Sequence, residues 1–184
     1  MTRSSLLLLG CFCALTSFSA QAVDSVSIEG GASFSGDRKT TTMGRIGAQW
    51  DWESKWFDTG SWYLGGYWDA SVGYWHTDDR DGSSHDLGDF SITPVLRFQS
   101  AATSGFVPYV ELGIGAHMLT DKTIADDRHF STNFQFGDHL GAGFRFGDKA
   151  QYDLSYRVQH LSNAGIDSPN PGINFNELRF QYHF

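Results

Sequence analysis

Two residues near the end of the chain, His160 and Ser162, have the types and the spacing for nucleophilic chemistry. The segment YDLSYRVQHLSNAGIDSPNPGIN, residues 152–174, begins with the alternation of apolar and polar residues that marks a β-strand. His160 and Ser162 continue the apolar set, so both side chains are predicted on one face of this strand. A histidine beside a serine can act as base and nucleophile. What this face contacts therefore decides what the pair can act on.

The start of the chain predicts export across a membrane. An apolar run from Leu6 to Leu15 follows Arg3 and ends in small residues, which is the pattern of a secretory signal peptide over residues 1–22. Both cysteines lie within this segment. We therefore expect a single mature domain, residues 23–184, without disulfides or thiol chemistry.

Composition narrows the class of this exported domain. Without Arg3, 12 basic residues stand against 21 acidic ones, a formal net charge of −9, which argues against nucleic-acid binding. The mature part has no apolar run of about 18 residues, so a transmembrane helix is not predicted. The chain is rich in aromatic residues and contains 21 glycines. An exported, aromatic-rich and glycine-rich chain with alternating segments is typical of an outer-membrane barrel.

Eight alternating segments predict an all-β, eight-stranded antiparallel transmembrane β-barrel. Most of them reach the roughly 9–11 residues that a tilted membrane strand needs. The connections alternate between short turns and longer polar loops, and in outer-membrane barrels the long loops face the cell exterior. The predicted strands cover residues 25–34, 43–53, 61–75, 87–99, 106–118, 131–146, 149–162 and 174–184.

Within these segments one face is apolar and the other carries charges of both signs. Charges of opposite sign can pair inside a narrow barrel, so we place the charged face inside and the apolar face against lipid. Asp138 falls on the apolar face, and we expect a bulge or a polar pocket there. The residues predicted to point inward are Glu29, Arg45, Asp51, Asp69, Asp89, Arg97, Glu111, Arg145, Asp153 and Arg157.

Aromatic residues and the last strand support the same compartment. The alternation Leu178, Phe180, Tyr182, Phe184 ends the chain on phenylalanine, which resembles the C-terminal signature that the bacterial barrel assembly machinery reads. This machinery is therefore an expected partner through Phe184. The residues interpreted as interfacial girdles are Trp50, Trp52, Trp62, Trp68, Tyr74 and Trp75.

Barrel topology then places the histidine and the serine. The seventh strand follows the tight turn at Gly147–Asp148, so it runs from the periplasm and ends at the external rim. His160 and Ser162 share the parity of the lipid-facing residues, and we expect both to face the outer leaflet. That leaflet is lipopolysaccharide, so the acyl esters of lipid A would be within reach of a nucleophile there.

The residues around this pair resemble a known family. HLSNAG, from His160 to Gly165, followed by P-N-x-G-I from Pro169, is similar to the motif of the PagL family of lipid A 3-O-deacylases. The resemblance implies an eight-stranded outer-membrane barrel that hydrolyses the ester-linked acyl chain at position 3 of lipid A. It also implies a serine esterase in which Ser162 is the nucleophile and His160 is the base.

The third member of the triad departs from the family pattern. The family glutamate corresponds to Asn174, whose amide oxygen can fix the imidazole tautomer but cannot stabilise the imidazolium by charge. Asp167 in the loop is ranked second for this role, and Glu177, which points into the barrel, is third. For the oxyanion and substrate we expect contributions from Asn163, Gly165 and Asn170.

Other readings stay open. A non-catalytic structural or adhesion barrel of the OmpX type remains the main alternative, although the external loops are short for an adhesin. An outer-membrane phospholipase is the second, and an acyltransferase with an internal acyl channel is the third. We expect no cofactor and no catalytic metal, although the loop acids near His85 could bind bridging divalent cations. Both a monomer and a homodimer are compatible with the sequence.

Overall fold

The regular structure of the described chain is entirely β. The computed structural model describes residues 22–34, 39–79 and 81–184, and it forms a closed antiparallel barrel. Apart from Ala22, the predicted signal peptide lies outside the described residues. Within the described ranges, no helix is long and apolar enough to cross a membrane.

Eight long strands close the barrel, and two very short ones form a hairpin in one connection. Every pairing between neighbouring strands is antiparallel, and the first and last strands pair to complete the ring. In chain order the strands are β1 (Ser25–Ser33), β2 (Thr41–Asp51), β3 (Trp62–Asp78), β4 (Ser84–Ser100), β5 (Val107–Leu119), β6 (Thr123–Ala125), β7 (Arg128–His129), β8 (Phe134–Phe146), β9 (Tyr152–Ser162) and β10 (Ile173–His183). Only β6 and β7 stand outside the ring.

The predicted eight-stranded antiparallel barrel is confirmed, and its strand ends differ in places. β3 and β4 extend beyond their predicted ends because His76, Thr77 and Asp78 pair with Asp86, His85 and Ser84. Their polar character suggested a loop, but strands pair through backbone groups, which polar residues supply as well as apolar ones. The β6–β7 hairpin was not predicted, since strands of two or three residues show no measurable alternation.

The middle of the barrel is filled by paired charges. Glu111 accepts hydrogen bonds from the Tyr67 hydroxyl at 2.8 Å, from Arg97 Nε at 2.9 Å and from Arg157 Nε at 2.8 Å. Several opposite charges around each ion offset the cost of removing it from water. The inward prediction is confirmed for Glu29, Arg45, Asp69, Asp89, Arg97, Glu111, Asp153 and Arg157, all of which are buried.

Two of the charges predicted inside lie instead at the rim. Asp51 is exposed at the end of β2, and Arg145 is only partly buried near the end of β8. Arg145 Nε donates to the carbonyl oxygen of Ala150 at 2.8 Å. Both residues have the parity of the inner face, but the barrel mouth at this end is open to solvent.

An apolar plug closes the interior at the other end. Trp75 and Phe175 meet edge to face within it, with ring centroids 4.8 Å apart. Trp75 was predicted in an interfacial girdle, and this assignment is wrong because its side chain points inward and is almost fully buried. The plug consists of Met43, Trp75, Leu87, Leu119, Ile124, Phe130, Leu161, Ile173 and Phe175.

The two ends of the barrel are easily told apart. The end that carries the plug has the connections 34–40, 79–83, 120–133 and 163–172, and is called the loop end below. The opposite end has the connections 52–61, 101–106 and 147–151, and both chain termini of the barrel lie there. β9 runs from this opposite end to the loop end, so its last residues stand beside the plug.

Candidate active site

His160 and Ser162 lie on the outer wall at the loop end of β9. Tyr152, Leu154, Tyr156 and Val158 precede them on the same face of the strand and are exposed. His160 and Ser162 are both partly exposed, in agreement with the predicted alternation. The pair therefore sits on the apolar wall of the barrel, and its side chains do not reach into the lumen.

This orientation is fixed by the residues between them and opposite them. Leu161 lies between the pair in sequence and is fully buried in the plug. Its partner across the strand pair is Ile173 on β10, which is also fully buried. Because neighbouring side chains of a strand alternate between faces, anchoring Leu161 inside turns His160 and Ser162 outside.

Asn174 orients the imidazole ring. It is the direct cross-strand partner of His160, and His160 Nδ1 lies 2.7 Å from Asn174 Oδ1. An amide oxygen can only accept a hydrogen bond, so Nδ1 carries the proton and donates it. The other ring nitrogen, Nε2, then has its lone pair available as a base.

Gly172 makes room for the ring. A Cβ atom on this residue would lie 2.8 Å from Cε1 of His160 and 3.5 Å from its Nε2, and the backbone of Gly172 has a φ of +58°. In the pairing of β9 with β10, Ile173 lies opposite Leu161. The next residue on each side is Gly172 and Ser162, so these two lie at the same level. The Nε2 edge of the ring thus leans along the strand toward the row that holds Ser162.

The loop after Ser162 is organised by the Asn163 side chain. Asn163 is fully buried, and its Nδ2 donates to Ser131 Oγ at 2.8 Å and to the Asp167 carbonyl at 2.9 Å. Its Oδ1 accepts the backbone N–H of Gly165 at 2.9 Å. The backbone N–H of Asn163 donates to Asn170 Oδ1 at 3.1 Å, which leaves the Asn170 amide nitrogen facing away from that contact.

The two acids weighed against Asn174 occupy other places. Glu177 is buried inside the barrel, where its carboxylate lies 3.8 Å from Arg45 Nη1. Asp167 is exposed in the loop, and its Oδ1 accepts the backbone N–H of Ser168 at 2.8 Å. Of the three residues, Asn174 is the one whose hydrogen bond to the His160 ring is present.

Asp138, predicted to lie in a bulge or a polar pocket, is the cross-strand neighbour of His160. The expected bulge is absent, since the registers of β8 with β5 and with β9 run through this position without a shift. Asp138 is exposed on the outer wall, and its cross-strand partner on β9 is His160. The register of the tight β8–β9 hairpin could have revealed this pairing, because mirroring the chain about residues 147–151 puts 138 opposite 160.

A second group of titratable residues joins two loops. His85 Nε2 lies 2.9 Å from Asp126 Oδ1 and 3.0 Å from Asp79 Oδ2, and their ligand-type atoms all lie within 4.8 Å of one another. The ammonium of Lys39 pairs with Asp79 and holds the pKa of that carboxyl below its usual range. Asp79 pairs with Lys39 and His85, and Asp126 pairs with His85. These contacts connect the loops 79–83 and 120–133.

The outer wall thus brings together a hydroxyl, an imidazole with a fixed tautomer and a nearby amide, which are the groups that nucleophilic ester hydrolysis uses. Inside the barrel, the described residues form a polar, charge-paired middle and an apolar plug.

Comparison with known proteins gives a consistent result. The family described as lipid A 3-O-deacylase (PagL) matches residues 42–183. The lipid A deacylase PagL of Pseudomonas aeruginosa is 34% identical over 163 residues, which is 89% of this chain and 87% of that protein. The lipid A deacylase PagL of Bordetella bronchiseptica is 34% identical over 116 residues, 63% of this chain and 61% of that protein. A solved structure described as the outer membrane enzyme PagL has a TM-score of 0.70 and 29% identity, covering 86% of this chain and 99% of its own.

Proposed function

The chain belongs to the PagL family of lipid A 3-O-deacylases, and from that premise we propose that Ser162 and His160 perform its ester hydrolysis on the outer wall of the barrel. As a member of this family the chain is an outer-membrane ester hydrolase that acts on lipid A. The observation that carries the residue assignment is the 2.7 Å contact from His160 Nδ1 to Asn174 Oδ1, which prepares the ring as a base two residues from a serine on the same face.

The reaction follows from the tautomer. His160 Nε2 takes the proton of Ser162 Oγ while this oxygen attacks the carbonyl carbon of the 3-O-acyl ester. The tetrahedral intermediate collapses when His160 returns the proton to the departing sugar oxygen, which leaves an acyl group on Ser162. A water molecule, deprotonated by His160, then attacks the acyl-serine, and the fatty acid leaves as Ser162 recovers its proton.

The oxyanion that forms in both steps needs fixed hydrogen-bond donors. The Asn170 side chain is the donor we favour, because its Oδ1 is held by the Asn163 backbone N–H and its amide nitrogen is thereby oriented. Asn163 and Gly165 contribute indirectly to oxyanion binding, because the hydrogen bond between them shapes the loop that carries Asn170. Gly165 adopts a φ of +78°, a conformation that glycine adopts without strain.

The location of the site favours a lipid substrate in the outer leaflet. We place the loop end of the barrel outside the cell, because the longest connection between barrel strands, residues 120–133, lies there and long connections of outer-membrane barrels face the exterior. His160 and Ser162 then meet lipid A at the depth of its ester bonds. A phospholipid ester would fit the same chemistry, and the experiment below separates the two substrates.

Two partner assignments accompany this proposal. The C-terminal Phe184 is exposed and packs edge to face against Tyr182, with ring centroids 5.6 Å apart, so it is presented at the barrel surface for recognition by the assembly machinery. The site is complete within one chain, since both strands that carry it pair directly. A homodimer would therefore be compatible with activity without being needed for it.

Mass spectrometry of lipid A tests the proposal. Cells without a deacylase of their own are given the wild-type protein, Ser162→Ala or His160→Asn, and heat-dependent gel mobility checks that each barrel is folded. We expect the wild type to remove the 3-O-acyl chain from lipid A while both variants leave lipid A intact. Unchanged lipid A with folded wild-type barrel would overturn the proposal, and lysophospholipid release would instead identify a phospholipase.

A further inference from the structure

Asp138 extends the outer-wall site to a third strand. It is opposite His160 on one side, as Asn174 is on the other, so three polar side chains form a row across β8, β9 and β10. Directly opposed residues in an antiparallel pair have Cβ atoms about 4.5–5.5 Å apart. Asp138 is therefore a direct cross-strand neighbour of His160, on the side of β9 that Asn174 does not occupy.

The surroundings of Asp138 are apolar. Its partner on β5 is Ile114, and the next outward residues along β8 are Phe136 and Leu140, all exposed on the same wall. A carboxylate on a lipid-facing wall is costly, and ionisable residues in such positions usually have a functional reason. The strand pairing uses only the backbone here, so the fold itself does not require a carboxylate.

The chemistry of the site supplies such a reason. In the proposed reaction His160 becomes positively charged, and the Asn174 amide cannot balance that charge. A carboxylate across the strand would balance that charge, and the low dielectric of the membrane strengthens its attraction.

We propose that Asp138 is a positioning residue of the deacylase, whose negative charge stabilises the His160 imidazolium across the β8–β9 pair. This inference rests on the proposed function of Ser162 and His160. It divides between two residues the tasks that a single glutamate performs in a Ser-His-Glu triad: Asn174 fixes the tautomer, and Asp138 supplies the charge.

The test compares Asp138→Asn and Asp138→Glu with the wild type, using purified folded barrel and lipid A in mixed micelles. For Asp138→Asn we expect kcat to fall about tenfold with KM within about twofold, because the lost charge acts on the transition state and not on substrate binding. Asp138→Glu keeps the charge and should recover much of kcat. Asp148→Asn, an exposed acid in the turn 147–151, serves as the matched control.

A double-mutant cycle separates charge from a general structural effect. Asn174→Glu places a carboxylate on the other side of the ring, so in that background Asp138→Asn should cost less than about threefold. An equal cost in both backgrounds, or a loss confined to KM, would overturn the role of Asp138. Ser162→Ala is measured alongside: if it stays active the proposed function fails, whereas if it is inactive and Asp138→Asn behaves as wild type, only this inference fails.

Discussion

The two faces of β9 carry similar polar residues in opposite circumstances. On the inner face, Arg157 reaches Glu111 at 2.8 Å and shares it with Arg97, so each charge is enclosed and balanced. On the outer face, His160 makes a hydrogen bond with Asn174, and Ser162 stands on an apolar wall. Buried polar groups with paired charges stabilise the fold. A polar group on an apolar outer wall, which the fold does not require, indicates a catalytic role. Variants on the two faces should therefore differ in what they change: activity on the outer face and stability on the inner face.

The largest contrast compares two serines of the same strand. Ser162→Ala removes the proposed nucleophile and should lower the deacylation rate by at least about 10³-fold, because the step through an acyl-serine is lost. Ser155→Ala changes a buried serine on the inner face and should leave the rate within about twofold. Release of fatty acid from lipid A by the two purified barrels measures both. Equal losses would remove the distinction between the faces.

Gly172 offers a steric test of the same site. In Gly172→Ala the new methyl group would lie 2.8 Å from His160 Cε1, so the ring must move, and a displacement of about 1 Å can cost about 10²-fold. Gly105→Ala is the matched control, since its φ is +71° and no atom lies within 4 Å of the added Cβ. Both variants carry similar backbone strain. A comparable loss of activity in the control would assign the effect to strain and contradict a role for the ring position.

Asn174 should have a smaller effect. Asn174→Ala leaves the imidazole without the acceptor for its Nδ1 proton, and we expect the rate to fall by at least about tenfold, given what a wrong tautomer costs related triads. Asn176→Ala, two residues further along the same outward face, loses the 2.5 Å hydrogen bond from the Tyr156 hydroxyl and should have little effect. Turnover on lipid A is measured for both. No change in Asn174→Ala would move the orienting role to Asp167.

The inner face should show the reverse behaviour. Glu111→Gln removes the charge that Arg97 and Arg157 share, and leaving buried cations unpaired costs about 3–5 kcal/mol of stability. The barrel should unfold at lower denaturant concentration, while the fraction that remains folded keeps its turnover within about twofold. Urea titration monitored by tryptophan fluorescence measures the first quantity, and turnover per folded barrel measures the second. A large fall in turnover without a loss of stability would contradict the assignment of this network to structure.

The alternation of residues predicted the barrel and the direction of the site. A period of two places a residue on a face without knowledge of its partners, which is why the outward orientation of His160 and Ser162 could be deduced. The same rule would have placed Trp75 correctly, since it shares the parity of Asp69. The girdle assignment rested on the residue type of tryptophan and not on its parity. The apolar plug at the loop end was therefore not predicted.

Contacts between strands were harder to predict. The proximity of Asp138 to His160 depends on the register of β8 against β9, and the space above Gly172 depends on how the loop 163–172 returns to β10. Neither follows from the periodicity of one strand. Gly172 belongs to the motif, and both its φ of +58° and the position of the ring explain why a glycine stands there.

Covalent labelling of the nucleophile tests the central assignment most directly. The folded barrel in membrane vesicles is treated with a lipophilic fluorophosphonate, digested and mapped by mass spectrometry, with His160→Asn in parallel. We predict one adduct in the wild type, on the peptide that contains Ser162. In His160→Asn this adduct should be nearly absent. An adduct on another serine, or inactivation without modification of Ser162, would contradict this assignment.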